Sequence, residues 1–383
     1  MRKIYKLAGA LLIIEFFFQF ISFTRYMYFY YKERTEETEQ WWETDERYEW
    51  FTKVNSDGFE AIYHPFLGWT TGPVDSPSVH VGEDGIRRTT GNPQNETAQT
   101  KKIFVFGGST IWGHVAADNE TIPSLIAQEL NVNVPRYHVT NFGQPGYYSN
   151  QEVINLLLLL KDGKIPDYVV FYDGCNDLYV STKQENPSIV YNEFLIKDKL
   201  QNIWDLSHPR TYGNSLLNPL LWVNAWPDIS KYIKIYHYPR MIYRKLTGTL
   251  EKEEKYRFKE EDIDRLANNI ARNYLRNAAM INALSRAYGF KYLLIWQPQL
   301  LNKEVKTEKE LGVAGSNFKN YTKLYQETTE RLHESNIKNF YDVSDIFREH
   351  KETIFFDNCH INNEGKMAVT NNIVDILRRN YGL

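Results

Sequence analysis

The chain has 383 residues, 24% of them charged, and a formal net charge of -3. That length gives room for one large domain or two small ones, and Lys and Arg scattered rather than gathered into a basic stripe argue against a nucleic-acid partner. Two cysteines exclude a disulfide-rich scaffold and a four-cysteine zinc site, while 27 Tyr and 9 Trp suit a globular protein with an amphipathic groove, compatible with stacking on sugar rings.

In chain order, Arg2, Lys3 and Lys6 precede an apolar run from Leu7 to Phe23 that is interrupted only by Glu15 and Gln19. An aromatic cluster, Tyr26 to Tyr31, follows it like an interfacial belt. The run is near the lower limit for crossing a bilayer, and no small-residue cleavage site follows. Residues 1–33 therefore read as an uncleaved transmembrane signal anchor, with a hydrophobic helix packed on the domain as the alternative that Glu15 keeps open. Arg25, Lys32 and Arg34, just beyond the run, weaken the charge asymmetry that sets orientation.

Residues 34–100 read as a juxtamembrane stalk and irregular N-terminal region. The stretch Glu33 to Trp50 is acidic and tryptophan-bearing, and Pro, Gly and Asp-Gly turn signals follow. From Lys102 a strand and helix rhythm begins. Candidate strands are Ile103–Phe106, Tyr137–Asn141, Tyr168–Tyr172, Tyr292–Trp296 and Phe340–Val343. Helical patterns include Glu152–Leu160, Asp262–Tyr288, Tyr321–Glu334 and Glu364–Arg379. Alternation of this kind predicts an α/β fold, a three-layer sandwich with a central, roughly five-stranded parallel sheet over residues 101–383. Ligands then sit beyond the carboxyl ends of the strands. The segment at about 180–258 breaks the rhythm and is too long for an ordinary connection. It reads as a helical insertion, standing over the active site or packed elsewhere on the surface.

Four loops carry the chemistry. "FGGSTIWG" runs a strand into two glycines and Ser109, which reads either as a helix cap or as an exposed nucleophile. "NFGQPGYYSNQE" holds Gly143 and Gly146, which let a backbone N–H approach a substrate; "FYDGCNDL" holds Asn176; "FFDNCHINNEG" places Asp357 three residues before His360. All four project from one edge of the sheet. A serine, a histidine and an aspartate converging there supply what acyl transfer requires: a hydroxyl, a base in reach of it, and a carboxylate to orient the imidazole.

In order and spacing, "GGST", "GQPG", "GCND" and "DNCH" resemble the four blocks of the SGNH, or GDSL-type, hydrolases. The resemblance covers roughly Lys102 to the C-terminus apart from the insertion, with Gly108 standing where the GDSL signature has Asp. It implies a doubly wound flavodoxin-like fold, Ser109 as nucleophile, His360 as general base and Asp357 as its partner. It also implies an oxyanion hole from the backbone N–H groups of Ser109 and Gly146 and the side-chain amide of Asn176.

Other polar residues have weaker claims. His114 and His64 read as structural or surface residues, and Asp173 and Asp177 as turn hydrogen-bonding groups. No phosphate loop and no metal-ligand cluster is legible, so neither a cofactor nor a metal is expected. The leading reading is a membrane-anchored serine esterase acting outside the cytoplasm, in a periplasmic, extracellular or lumenal space, on a lipid ester or an acetylated polysaccharide. An O-acyltransferase modifying a cell-surface glycan uses the same triad, and a non-enzymatic glycan-binding module is the third reading. Asn95, Asn119 and Asn320 head glycosylation triplets. Cys175 and Cys359 lie inside two of the site motifs, either within disulfide range or as two reduced thiols behind the site.

Overall fold

The computed structural model describes residues 61–184, 258–313 and 318–383, together with Glu15, Phe17, Gln19, Phe20 and Thr24. The chain divides into two compact units, residues 1–39 with 192–256 and residues 40–191 with 257–383. In the first, the five described residues are helical, and Gln19 Nε2 donates to Glu15 Oε1 at 2.7 Å, so the two polar interruptions of the apolar run meet one helical turn apart. The rest of the expected anchor over 1–33 lies outside the described residues, as do 34–60 and most of the expected insertion. Among the described residues no helix is long and apolar enough to cross a membrane.

The second unit opens with β1 (Ala61–His64) and β2 (Gly68–Thr71), an antiparallel hairpin, and then β3 (Val74–Asp75) and β4 (His80–Val81), a second one. Its centre is a parallel sheet. The strands β5 (Lys101–Gly107), β6 (Tyr137–Asn141), β7 (Tyr168–Asp173), β8 (Lys291–Trp296) and β9 (Phe340–Asp342) lie in the order β6-β5-β7-β8-β9. Counted among themselves this is 2-1-3-4-5, the flavodoxin-like doubly wound order, whose switch point falls between the first and third strands.

The helices follow from the pattern of each strand's two faces. Ile103, Val105, Val170, Tyr172, Leu293 and Ile295 point to one side, where α2 (Ile122–Leu130) and α8 (Asn363–Tyr381) cover them. Phe104, Phe106, Val169, Phe171, Tyr292 and Leu294 point to the other, against α3 (Ser149–Lys161) and α5 (Ile263–Tyr288). Strands buried on both faces read as unbroken apolar runs rather than alternating ones, which is why "IFVF" and "YVVFY" signalled the centre of the sheet. Phe106 stacks between Phe142 and Phe171 with ring centroids 5.2 and 5.1 Å apart. Burial of each such ring contributes on the order of 2–3 kcal/mol by its apolar area. Helix ends are set by local chemistry: Thr121 Oγ1 accepts the Ser124 N–H at the start of α2, Asn362 Oδ1 accepts the Gly365 N–H at the start of α8, and Gly289 and Gly382 close α5 and α8. Short helices α1 (Ser109–Trp112), α4 (Cys175–Gln184) and α6 (Glu308–Val313), and the longer α7 (Phe318–Glu334), are its other α-helices among the described residues.

Candidate active site

Ser109 is the first residue of α1, reached from β5 through Gly107 and Gly108. It does not cap that helix: Gly108 occupies the cap position and no side chain bonds there. A Cβ at Gly108 would lie 2.3 Å from Asn176 Nδ2 and 3.1 Å from the Tyr147 carbonyl, so only glycine lets three loops converge beside the serine.

His360 and Asp357 come from the turn before α8. That turn is anchored from behind by Glu310 of α6, whose Oε1 accepts the N–H groups of Ile354 and Phe355 at 3.0 and 3.2 Å. Its Oε2 meets Lys303 Nζ at 2.6 Å in a fully buried ion pair. The turn then closes on itself: Phe356 N–H donates to the His360 carbonyl at 2.8 Å, and Asp357 Oδ1 accepts the N–H groups of Cys359 and His360 at 2.9 and 2.8 Å. With one carboxylate oxygen held by the backbone, Oδ2 is left for the ring, 2.6 Å from His360 Nδ1. His360 Nε2 lies 2.7 Å from Ser109 Oγ. Nδ1–H donating to Asp357 leaves the Nε2 lone pair to accept the serine proton.

Electrostatics agree with that assignment. Burial pushes the Asp357 carboxyl up, but the adjacent His360, by charge and hydrogen bond, and the two backbone donors override it and hold it well below the usual carboxylate range. Burial pushes His360 down, and Asp357 more than compensates, so the imidazole ends above the ordinary histidine value.

The residues expected to donate to an oxyanion lie on three loops at the carboxyl ends of β5, β6 and β7. Ser109 N–H is at a helix start, where no intrahelical partner exists. Gly146 adopts φ 79°, and Asn176, the second residue of α4, donates from Nδ2 to the Tyr147 carbonyl at 2.6 Å, tying two of the loops together. Trp69, from β2, borders Gly146 and donates from Nε1 to the Pro145 carbonyl at 3.1 Å. Gly143 has a different task from the one its sequence context suggested. A Cβ there would fall 2.4 Å from the Trp112 backbone nitrogen, so it serves close packing against α1 rather than substrate approach.

The two cysteines are free. Cys359 is buried, and its thiol is pushed up first by a hydrogen bond with Cys175 and then by burial. Among the described residues, the one cluster with metal-type donor atoms within 4.8 Å of each other is Asp357, Cys359 and His360. Its carboxylate and imidazole atoms are engaged with each other, the backbone and Ser109 in the hydrogen bonds given above. His64 is a turn residue, its Nδ1 accepting N–H groups of Phe66 and Leu67 at 3.3 and 3.2 Å.

Three features escaped the sequence reading. Of the two readings of His114, structural or surface, the structure has the first: its ring lies against the His360 ring, centroids 4.7 Å apart. Arg87, fully buried, wraps the loop that carries His114, donating to the carbonyls of Trp112, Gly113 and Ala116 at 2.9, 2.7 and 2.5 Å and pairing with Asp118 at 3.1 Å. Val115, next in that loop, has φ 58°, a conformation that costs a β-branched residue about 1–3 kcal/mol. Third, Asp173 and Asp177 are not simply turn groups. With Glu152 they form a buried set of carboxyls beneath the Asn176 loop. Tyr274 OH donates to Asp173 at 3.3 Å and Ser149 Oγ to Asp177 at 2.5 Å. Burial above all raises all three, and none of the groups acting on them is a cation.

A doubly wound sheet presenting a hydrogen-bonded Ser-His-Asp series at the carboxyl ends of its strands defines the class of molecule. No family model matches the chain, and no curated protein does. Solved structures that resemble it include an acetyl xylan esterase, 12% identical over 72% of this chain and 98% of its own, TM-score 0.37. Others are a lipolytic G-D-S-L family member from Veillonella parvula (12% identical, 73% and 100% covered, TM-score 0.38) and a carbohydrate acetylesterase from Sinorhizobium meliloti (11%, 73% and 99%, 0.37). These TM-scores are all below 0.5, and the chemistry is read from the site itself.

Proposed function

We propose that the chain is a serine esterase of the SGNH type, working through an acyl-enzyme on Ser109. One observation carries the reading: the unbroken series from Ser109 Oγ to His360 Nε2 at 2.7 Å and from His360 Nδ1 to Asp357 Oδ2 at 2.6 Å. In the first half-reaction Ser109 Oγ attacks the ester carbonyl carbon while Nε2 takes its proton. Asp357 stabilises the imidazolium. The negative charge that develops on the carbonyl oxygen is received by the N–H groups of Ser109 and Gly146 and by the Asn176 amide. His360 then returns the proton to the departing alcohol as the carbon–oxygen bond breaks. In the second half, His360 deprotonates a water that attacks the acyl-serine, releasing the acid and restoring Ser109.

The substrate class is an ester on an acetylated carbohydrate or a lipid, and the location is outside the cytoplasm, anchored through residues 1–33. Both rest on the sequence, and fractionation of the full chain against one lacking residues 1–31 tests the anchor: the first should sediment with membranes and the second should not. For the chemistry, purified Ser109→Ala should lose turnover of a small activated acetyl ester by at least about a thousandfold with its circular dichroism unchanged. Wild-type turnover in that variant overturns the assignment. Adding a sugar acceptor to the wild-type reaction separates hydrolysis from acyl transfer by the product formed.

A further inference from the structure

We propose that His114 is a positioning residue for the general base, a ring wall that holds the His360 imidazole in the plane joining Asp357 and Ser109. The inference rests on the esterase reading of the site, and it starts from three separate observations. The first is contact. The two rings lie with centroids 4.7 Å apart and planes inclined by 35°, so His114 covers a face of His360 while Asp357 and Ser109 hold its two nitrogens.

The second is how much of the fold is committed to keeping His114 there. Gly113 before it and Val115 after it both have positive φ, at 93° and 58°. Glycine takes that conformation freely and valine does not, so the loop is held against its own preference. Arg87 does the holding. Its guanidinium, with no exposed surface, spends three hydrogen bonds on the carbonyls flanking His114 and is itself fixed by Asp118. Asp118 in turn collects His80 at 2.8 Å and Arg88 at 3.0 Å.

The third is charge. Burial first, then the proximity of His360 and Arg87, pushes the His114 imidazole down to about 3, so it stays neutral at any working pH. A neutral ring there excludes water from His360 without opposing the positive charge the base must carry in the transition state. Burial and Asp357 set the titration of His360, while on His114 burial, His360 and Arg87 act downward and Asp357 upward. Removing the wall lets the His360 ring slip from its line to Ser109, and small misplacements of a reacting group are costly in rate. It also wets the ring. Burial lowers the His360 value, so hydration raises it, and the acid limb of the rate profile moves to higher pH.

The test compares the full chain with His114→Ala, His114→Leu and His114→Phe, following kcat and KM on an activated acetyl ester from roughly pH 5 to 9. The His360 Nδ1–H resonance, followed by proton NMR across the same range, reports the titration without turnover. Alanine and leucine should each lower kcat by about ten- to a hundredfold with KM within about twofold, and both should raise the acid-limb midpoint. Phenylalanine, which keeps a ring and loses the titratable nitrogens, should restore kcat to within about threefold and return the midpoint to the wild-type position. Leucine stands in if alanine disturbs folding. Wild-type kcat and titration in alanine and leucine overturn the proposal, and so does phenylalanine being as slow as they are. Wild-type turnover in Ser109→Ala marks failure of the esterase reading instead, and the NMR titration still judges His114 in that case.

Discussion

Two buried polar regions flank the site, and they are built on opposite principles. In one, each charge has a partner: Arg87 with Asp118 beneath the loop of His114, and Lys303 with Glu310 behind the turn of Asp357 and His360. In the other, under the loop of Asn176, Glu152, Asp173 and Asp177 share a space with Tyr274 and Ser149 and no cation. Paired charges stay ionised and can clamp backbone carbonyls or amides. Like carboxyls without a cation cannot all ionise and are retained as neutral acids that share protons. The loop bearing His360 is thus held by ions and the loop bearing the Asn176 amide by protons.

Breaking a clamp should have the largest effect. Arg87→Met takes from Asp118 the buried one of its two guanidinium partners and from three carbonyls the arginine's hydrogen bonds, and the loss should be about 3–5 kcal/mol in urea unfolding. An effect under about 1 kcal/mol would show that the loop stands without the arginine.

The proton-held region responds to pH instead. Its carboxyls lie above their unfolded values, so the folded chain holds the extra protons. Their stabilising contribution is whole below the unfolded carboxylate range and is lost as pH rises through the folded values. Glu152→Gln removes one of the three titrating groups while keeping the shape. Its melting temperature should fall less steeply than wild type as pH rises above the ordinary carboxylate range, and parallel slopes would sink the idea of a shared-proton cluster.

The smallest effect is on thiol chemistry. Cys359, raised by its contact with Cys175 and by burial, should be alkylated more slowly at neutral pH than a free cysteine in an unfolded peptide. Equal rates would mean that the pair is open to solvent.

The sheet was legible because strands covered on both faces are written as apolar runs, and because glycines mark their ends. Tyr137–Asn141 was placed with its bounds intact, and Ser109, Asn176, Asp357 and His360 stand out in the sequence because each follows a strand or precedes a helix at short distance. The supports of those residues were not legible. Glu152, in the first turn of α3, has the position of an ordinary solvated acid complementing a helix start. Arg87 and Arg88 are adjacent and look alike in sequence, yet one has no exposed surface and the other is half exposed, a difference made by β4 and β6, which meet Arg87 from either side. His114 read as structural or surface, and its seat against His360 was not legible because the turn that places it there involves a valine in a conformation valine avoids.

The two hairpins before the sheet bear on where this protein can be shortened. A boundary at residue 101 would sever the Thr71 hydroxyl and N–H from Gln144 Oε1, Gly85 O from Gln144 Nε2, Leu67 O from Gln151, and Arg87 from everything it holds. Those partners are the inward polar groups of the Gly146 loop and of α3. A piece beginning at Lys101 would keep all four motifs and still expose orphaned donors and acceptors around the serine. The segment that looks like a spacer in sequence supplies hydrogen-bond partners to the Gly146 loop, α3 and the loop of His114, and fragments meant for crystallisation or soluble expression have to keep it from the β1–β2 hairpin onward.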